Sequence, residues 1–165
     1  MTQSKKQEPN RTNKIVPYRS VKSGMRSKGW LSTIPGNIQE SAKRVLGYAG
    51  IEYIEIPGSF LGDAVAITNL SVTDIIAVLD MSKSSFYRNQ KAEELEMETV
   101  DKLSSLFRIY QQGIEAFETP EAFEEWLHSR VTNLGDQKPV DLIKSETGRA
   151  TVLDAIKRIE YGIYG

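Results

Sequence analysis

Apolar positions recur at spacings of three and four along most of this chain, the period of helices that bury one face. Ile38, Ala42, Val45, Leu46 and Ala49 predict a short amphipathic helix beginning near residue 37. Residues 51–56, IEYIEI, are closed by Pro57-Gly58. Their Ile and Tyr content predicts a short strand, although the alternation breaks at Ile54. Leu61, Ala64, Val65 and Ile67 then place one face of a helix over residues 60–67, which Asn69 interrupts.

The next stretch, NLSVTDIIAVLDMSKSSFYRNQKA, carries two helix starts close together. Ser71 with Asp74 three positions later forms a capping-box-like pair: the hydroxyl accepts from an orphan backbone N–H and the carboxylate sits at the positive helix end. A helix therefore begins at Val72, burying Val72, Ile75, Ile76 and Leu79. A turn at Asp80-Met81 leads to Ser82, the N-cap of a second helix running to about Gln90. There Phe86 packs inward while Lys83, Ser84, Ser85, Tyr87 and Arg88 are polar, small or cationic and can face outward. A helix-turn-helix over about 71–91 presents such a surface to a major groove, with Ser82, Lys83, Ser84, Ser85, Tyr87 and Arg88 as the DNA-binding candidates. Any helical hairpin with a polar outer face gives the same pattern. The acidic run Glu93, Glu94, Glu96 and Glu98 just beyond it repels phosphates.

Val100, Leu103, Leu106, Phe107, Tyr110, Ile114 and Phe117 continue one apolar face and predict the longest helix, over residues 98–118. Gly113 inside it allows a close helix crossing. Thr119 as N-cap and Pro120 at the first helical position start another, with Phe123, Trp126 and Leu127 inward and His128 at its end. Pro139 opens a one- or two-turn helix carrying Val140, Leu142 and Ile143, and Thr147-Gly148 precede a final helix that turns Val152, Leu153, Ile156 and Ile159 inward, with Ile163 a further candidate for that face. The last residues, Tyr161-Gly162-Ile163-Tyr164-Gly165, place aromatic and aliphatic side chains where termini are usually polar. They either dock on the chain's own core or are presented to a partner, as Tyr anchors often are.

Composition narrows the choices. The 165 residues are 39% hydrophobic and 26% charged, a globular balance. Uncharged stretches are broken well short of the roughly 18 apolar residues a membrane-spanning helix needs, so no membrane association is expected. With no cysteine and one histidine, disulfides, thiolate metal sites and multi-histidine sites are excluded. No nucleophile elbow, phosphate loop or metal-ligand spacing occurs, so neither an enzyme nor a cofactor is expected, and His128 reads as a helix-end or surface residue.

The net charge of −1 hides an asymmetry: residues 1–30 hold eight Lys or Arg against one Glu, and the remainder holds 13 basic and 21 acidic residues. Residues 1–30 read as a flexible basic arm, since few large apolar groups offset the entropy of ordering it. It is a solvated terminus, a contact for phosphates or an acidic partner, or, more faintly, a transit-peptide-like segment. The lack of an apolar run after the early lysines argues against a secretory signal, and a cytoplasmic location is expected.

The order of elements and the spacing of Asn133, Leu134-Gly135, Pro139, Leu142-Ile143, Thr147, Gly148, Val152, Ile156, Arg158-Ile159-Glu160 and Gly162 resemble the bacterial Xre/MbcA/ParS antitoxin family. The resemblance covers about residues 60–165 and is densest in the last 50. One departure is Asp136, where the family often has a second glycine after Leu-Gly.

The resemblance implies an all-α fold, an Xre-like helix-turn-helix domain over 31–112 followed by a small helical toxin-binding domain over 113–165. It implies an antitoxin of a type II pair that binds a RES-domain toxin acting on NAD and obstructs its active site. The contact would run through the C-terminal helix and tail: Arg158, Tyr161, Gly162, Ile163, Tyr164 and Gly165. It also implies repression of its own operon through operator DNA, commonly as a homodimer, although the second helix of the hairpin is sparsely basic. The alternative is a helix-turn-helix transcription regulator whose C-terminal domain only dimerises.

Overall fold

A 21-residue helix, α5 (Met97–Phe117), about 30 Å long at 1.5 Å per residue, is the axis around which the other elements pack. The computed structural model describes residues 30–50 and 52–162. Before α5 come a 3-10 turn (Trp30–Thr33), α1 (Gly36–Gly47), α2 (Phe60–Thr68), α3 (Val72–Val78) and α4 (Lys83–Asn89). After it come α6 (Pro120–His128), a second 3-10 turn (Thr132–Leu134), α7 (Pro139–Leu142) and α8 (Glu146–Glu160). The fold is all-helical, with no strand among the described residues and one isolated antiparallel bridge, Val131 with Gln137. The basic arm up to residue 29 and the site candidates Ile163, Tyr164 and Gly165 lie outside the described residues.

The apolar stripe expected of α5 is buried from Val100 to Ile114, but so are Thr99, Ser104, Ile109 and Ala116. The reason is that α1 and the first 3-10 turn cover one side while α6 and α8 cover others. A helix covered on several sides loses the single-face pattern of a surface helix. It runs through residues 112–113, where the sequence divides the two expected domains. One hydrophobic cluster extends from Trp30 to Ile156. Aromatic rings cross it edge to face: Trp30 on Phe107 at 5.1 Å and Tyr110 on Phe123 at 5.3 Å.

Polar side chains of α5 hold the ends of the earlier helices. Ser104 Oγ and Arg108 Nη2 both donate to the Tyr48 carbonyl just past α1. The Tyr110 hydroxyl donates to the Thr68 carbonyl at 2.6 Å, at the end of α2, where Asn69 turns into the left-handed region at φ 53° and closes the helix. Lys102 Nζ donates to the Leu79 carbonyl at 3.1 Å, which fixes the C-terminal end of α3. Each bond satisfies a carbonyl that the end of a helix leaves without an intrahelical partner.

Two expectations need correction. Residues 52–57 are not a strand. Ile56 is buried and accepts from Leu95 N at 2.8 Å, and Gly58 N donates to Ala92 at 3.2 Å. Tyr53 is 62% exposed. With no second strand to complete a ladder, β-forming side chains cannot make a strand by propensity alone. The final helix starts one turn earlier than its expected cap. Ser145 Oγ accepts from Gly148 N at 3.0 Å, so Thr147 and Gly148 lie inside the first turn of α8. Gly148 is required there by packing, because a Cβ would stand 1.9 Å from the Leu142 carbonyl oxygen.

Candidate partner-binding surfaces

The first surface is built on α8. Its inner face carries Gly148, Val152 and Ile156, and with them the buried side chain of Arg149, 5% exposed. Arg149 Nε donates to Ser105 Oγ on α5 at 3.1 Å, and Nη1 donates to the Ile143 carbonyl at 3.1 Å. Burial pushes the guanidinium pKa down, while Glu146 and Asp101 push it back up; the group remains a cation. Arg149 thus locks α8 to α5 and to the end of α7 at once. Lys144, ahead of α8, pairs with Asp74 of α3 at 3.1 Å and with Asp141 at 3.0 Å.

With the inner face locked, α8 turns the other side outward. Arg158 is exposed and pairs with Asp154 at 2.9 Å. Tyr161, just past the helix, is 72% exposed and Gly162 is exposed beside it. Of the two fates open to Tyr161, docking on the core is not the one found. A groove of about 160 Å³ runs alongside, lined by Trp126 of α6, Asn133 and Leu134 of the loop, and Ala155, Arg158 and Ile159 of α8. The loop wall is shaped by two successive left-handed residues, Gly135 at φ 69° and Asp136 at φ 57°, and Arg130 Nη1 donates to the Asp136 carbonyl at 3.1 Å. Asp136 therefore occupies a backbone region that glycine favours and that Asp tolerates better than most residues.

The second surface is α4. Ser71 Oγ accepts from Asp74 N at 3.0 Å and Ser82 Oγ from Ser85 N at 3.1 Å, so both helices of the hairpin start at serine caps. Phe86 is buried, and Lys83, Ser84 and Arg88 are exposed, with Tyr87 44% exposed beside them. Ser82 caps the helix, and its hydroxyl also donates to that of Ser85 at 2.9 Å; Ser85 Oγ accepts as well from Arg88 Nη2 at 3.4 Å, so the two serines are engaged within α4. The outward chemistry of α4 is therefore Lys83, Ser84, Tyr87 and Arg88, two cations and two hydroxyls.

Sequence reasoning missed Arg149 and Lys144. Arg149 left a signal, since it falls three and seven positions before Val152 and Ile156, on the apolar stripe itself. Lys144 has a local partner in Asp141, but its pair with Asp74 left no signal, because the two are 70 positions apart.

Residues 112–162, the end of α5 through α8, match the family model of the antitoxin Xre/MbcA/ParS C-terminal toxin-binding domain. This part of the chain is similar to the toxin-binding domain of the Xre/MbcA/ParS antitoxins. No curated protein matches the chain. The Xre/MbcA/ParS segment contains the α8 groove, Arg149, Arg158, Tyr161 and Gly162, so the exposed end of α8 is part of a toxin-binding antitoxin domain. Its anchors to the preceding helices, Arg149 to Ser105 and Lys144 to Asp74, reach outside the matched segment.

Proposed function

We propose that this protein is a cytoplasmic type II antitoxin that neutralises a RES-type toxin acting on NAD by obstructing the toxin's active site. The observation that carries the reading is the exposure of Arg158, Tyr161 and Gly162 at the C-terminal end of α8, in a toxin-binding domain where Arg149 locks the opposite face of the helix. An exposed Tyr and Arg beside an apolar groove are the side-chain types that most often dominate binding energy. The family resemblance supports the RES identity of the partner. The protein acts by occupying a surface, not by catalysis.

The test is growth and intracellular NAD in cells that express the neighbouring gene alone, with the full chain, or with a chain ending at Arg158. Rescue by the full chain and not by the shortened one supports the reading. A neighbour that is harmless, or rescue that the full chain cannot give, overturns it.

A second activity is favoured by α4. Its capped start and exposed Lys83, Ser84, Tyr87 and Arg88 suit the major groove of operator DNA, bound by a homodimer that presents two such helices. This makes the antitoxin a repressor of its own operon. Gel-shift titration of the promoter at several salt concentrations tests it, and retention of no promoter fragment sinks it.

A further inference from the structure

Away from both surfaces, a groove of about 460 Å³ opens where the first 3-10 turn meets the ends of α2 and α6. Trp30 and Ile114 form its floor, Ile67 and Pro120 its walls, and Glu121 and Glu124 its rim. At Thr33 and Ile67 it runs into a smaller apolar recess of about 150 Å³ lined by Ile34, Pro35, Ile38 and Ala66. The two together make an apolar trough with an acidic lip. Glu124 is half-buried, and burial raises its carboxyl pKa, with His128 and Tyr110 pulling the other way. Among the described residues it pairs with His128 at 3.5 Å, which is charged only when protonated.

We propose that this trough is the docking site of residues 15–18 of the same chain, Ile15-Val16-Pro17-Tyr18, with the neighbouring cations Lys14, Arg19 and Lys22 against Glu121 and Glu124. Three observations meet here. Trp30 lies in the trough, so residues 1–29 join the fold at the site itself. Those residues are strongly basic, and the lip is acidic. Within them Ile15-Val16-Pro17-Tyr18 is the one run of consecutive large apolar residues. Trp30 follows Tyr18 by twelve positions, enough for about 40 Å of extended chain. A Lys or Arg beside Glu124 adds a permanent countercharge to the one that His128 supplies only when protonated.

The absence of cysteine permits a clean test on the full chain. A nitroxide is attached to Ser20→Cys, and amide signals are read by NMR. The expected result is loss of intensity at Ile67, Asn69 and Glu121, with Arg158 and Tyr161 unaffected. Intensity should return with Ile15→Ser/Val16→Ser/Tyr18→Ser, and in part with Glu121→Gln/Glu124→Gln. No loss at the trough overturns the proposal, as does a loss that the triple substitution leaves unchanged. Loss confined to the α4 face assigns the arm to the DNA-binding side and overturns it too. Mixing spin-labelled unenriched chain with enriched unlabelled chain distinguishes a neighbour's arm. Equal loss in the mixture means a second copy fills the trough, which overturns docking within the chain.

Discussion

Lys144 Nζ stands 3.1 Å from Asp74 Oδ1, so an ion pair joins the start of α3 to the residues between α7 and α8. Burial acts to raise the Asp74 carboxyl, but the Ser71 hydroxyl and the Lys144 ammonium outweigh it and hold the pKa below the usual carboxylate value. The Lys144 pKa is raised, chiefly by its bond to Asp141 and also by Asp74, against a smaller desolvation effect. A depressed acid stabilises the fold above its unfolded pKa and loses that contribution as pH falls through the folded one. Asp74→Asn should therefore lower stability at neutral pH by about 0.5–1 kcal/mol, the scale of a partly exposed pair. The gap from the parent chain should shrink as pH drops from about 5 towards 3, near and below the ordinary carboxylate pKa. Urea melts at several pH values measure this, and a gap that grows in acid contradicts it.

Gly113 of α5 lies against the Phe123 ring of α6, and a Cβ there would stand 2.2 Å from Phe123 Cε2. Alanine gains about 1 kcal/mol over glycine in an exposed helix. Here the ring must move, and overpacking typically costs about 1–3 kcal/mol. Gly113→Ala should lower the denaturation midpoint, and Phe123→Leu in the same chain should recover part of that loss, since the two positions touch. A stabilised single variant would show that the ring moves freely.

The hairpin was legible because its signals are local. Ser71 and Asp74, and Ser82 with the residues behind it, announce their helices within one turn, and the structure starts α3 and α4 at Val72 and Lys83. The buried stripe of α5 was legible for the same reason, since periodicity is written in neighbouring positions. Residues 51–56 misled because a strand depends on a partner elsewhere, and Ile56 finds Leu95 of a loop instead. The α8 groove was illegible as a shape: Trp126 and Ile159 are 33 positions apart and meet only after α6 and α8 pack. The exposed end of α8 could be named from family spacing, but not whether Tyr161 turned inward.

Arg149 has two acceptors and almost no solvent. Arg149→Met keeps apolar bulk but leaves the Ile143 carbonyl and the Ser105 hydroxyl without this donor, a loss of about 1–3 kcal/mol. Arg149→Lys should fare nearly as badly, because a single ammonium cannot reproduce donors pointing in two directions. Toxin binding should weaken in parallel with stability in both variants, read by thermal melts beside a pull-down. Binding lost at full stability would mean that Arg149 touches the toxin directly.

The two outer surfaces should separate by substitution, because their side chains contribute little to the fold. Lys83 and Arg88 are exposed and lie about one and a half turns apart on α4. Lys83→Ala/Arg88→Ala should weaken operator binding and flatten its salt dependence by about one unit of log–log slope for each phosphate left without its cation. Toxin neutralisation should be untouched. Tyr161→Ala/Arg158→Ala should do the reverse, weakening toxin binding by about tenfold or more if these are anchors, while stability shifts by no more than about 0.5 kcal/mol. Ser82→Ala is the informative contrast on the DNA side. It removes an N-cap worth about 1 kcal/mol, so it should lower stability as well as operator affinity. If the Lys83/Arg88 and Tyr161/Arg158 pairs each impair both activities in well-folded protein, DNA and toxin share one surface and the two-faced arrangement is wrong.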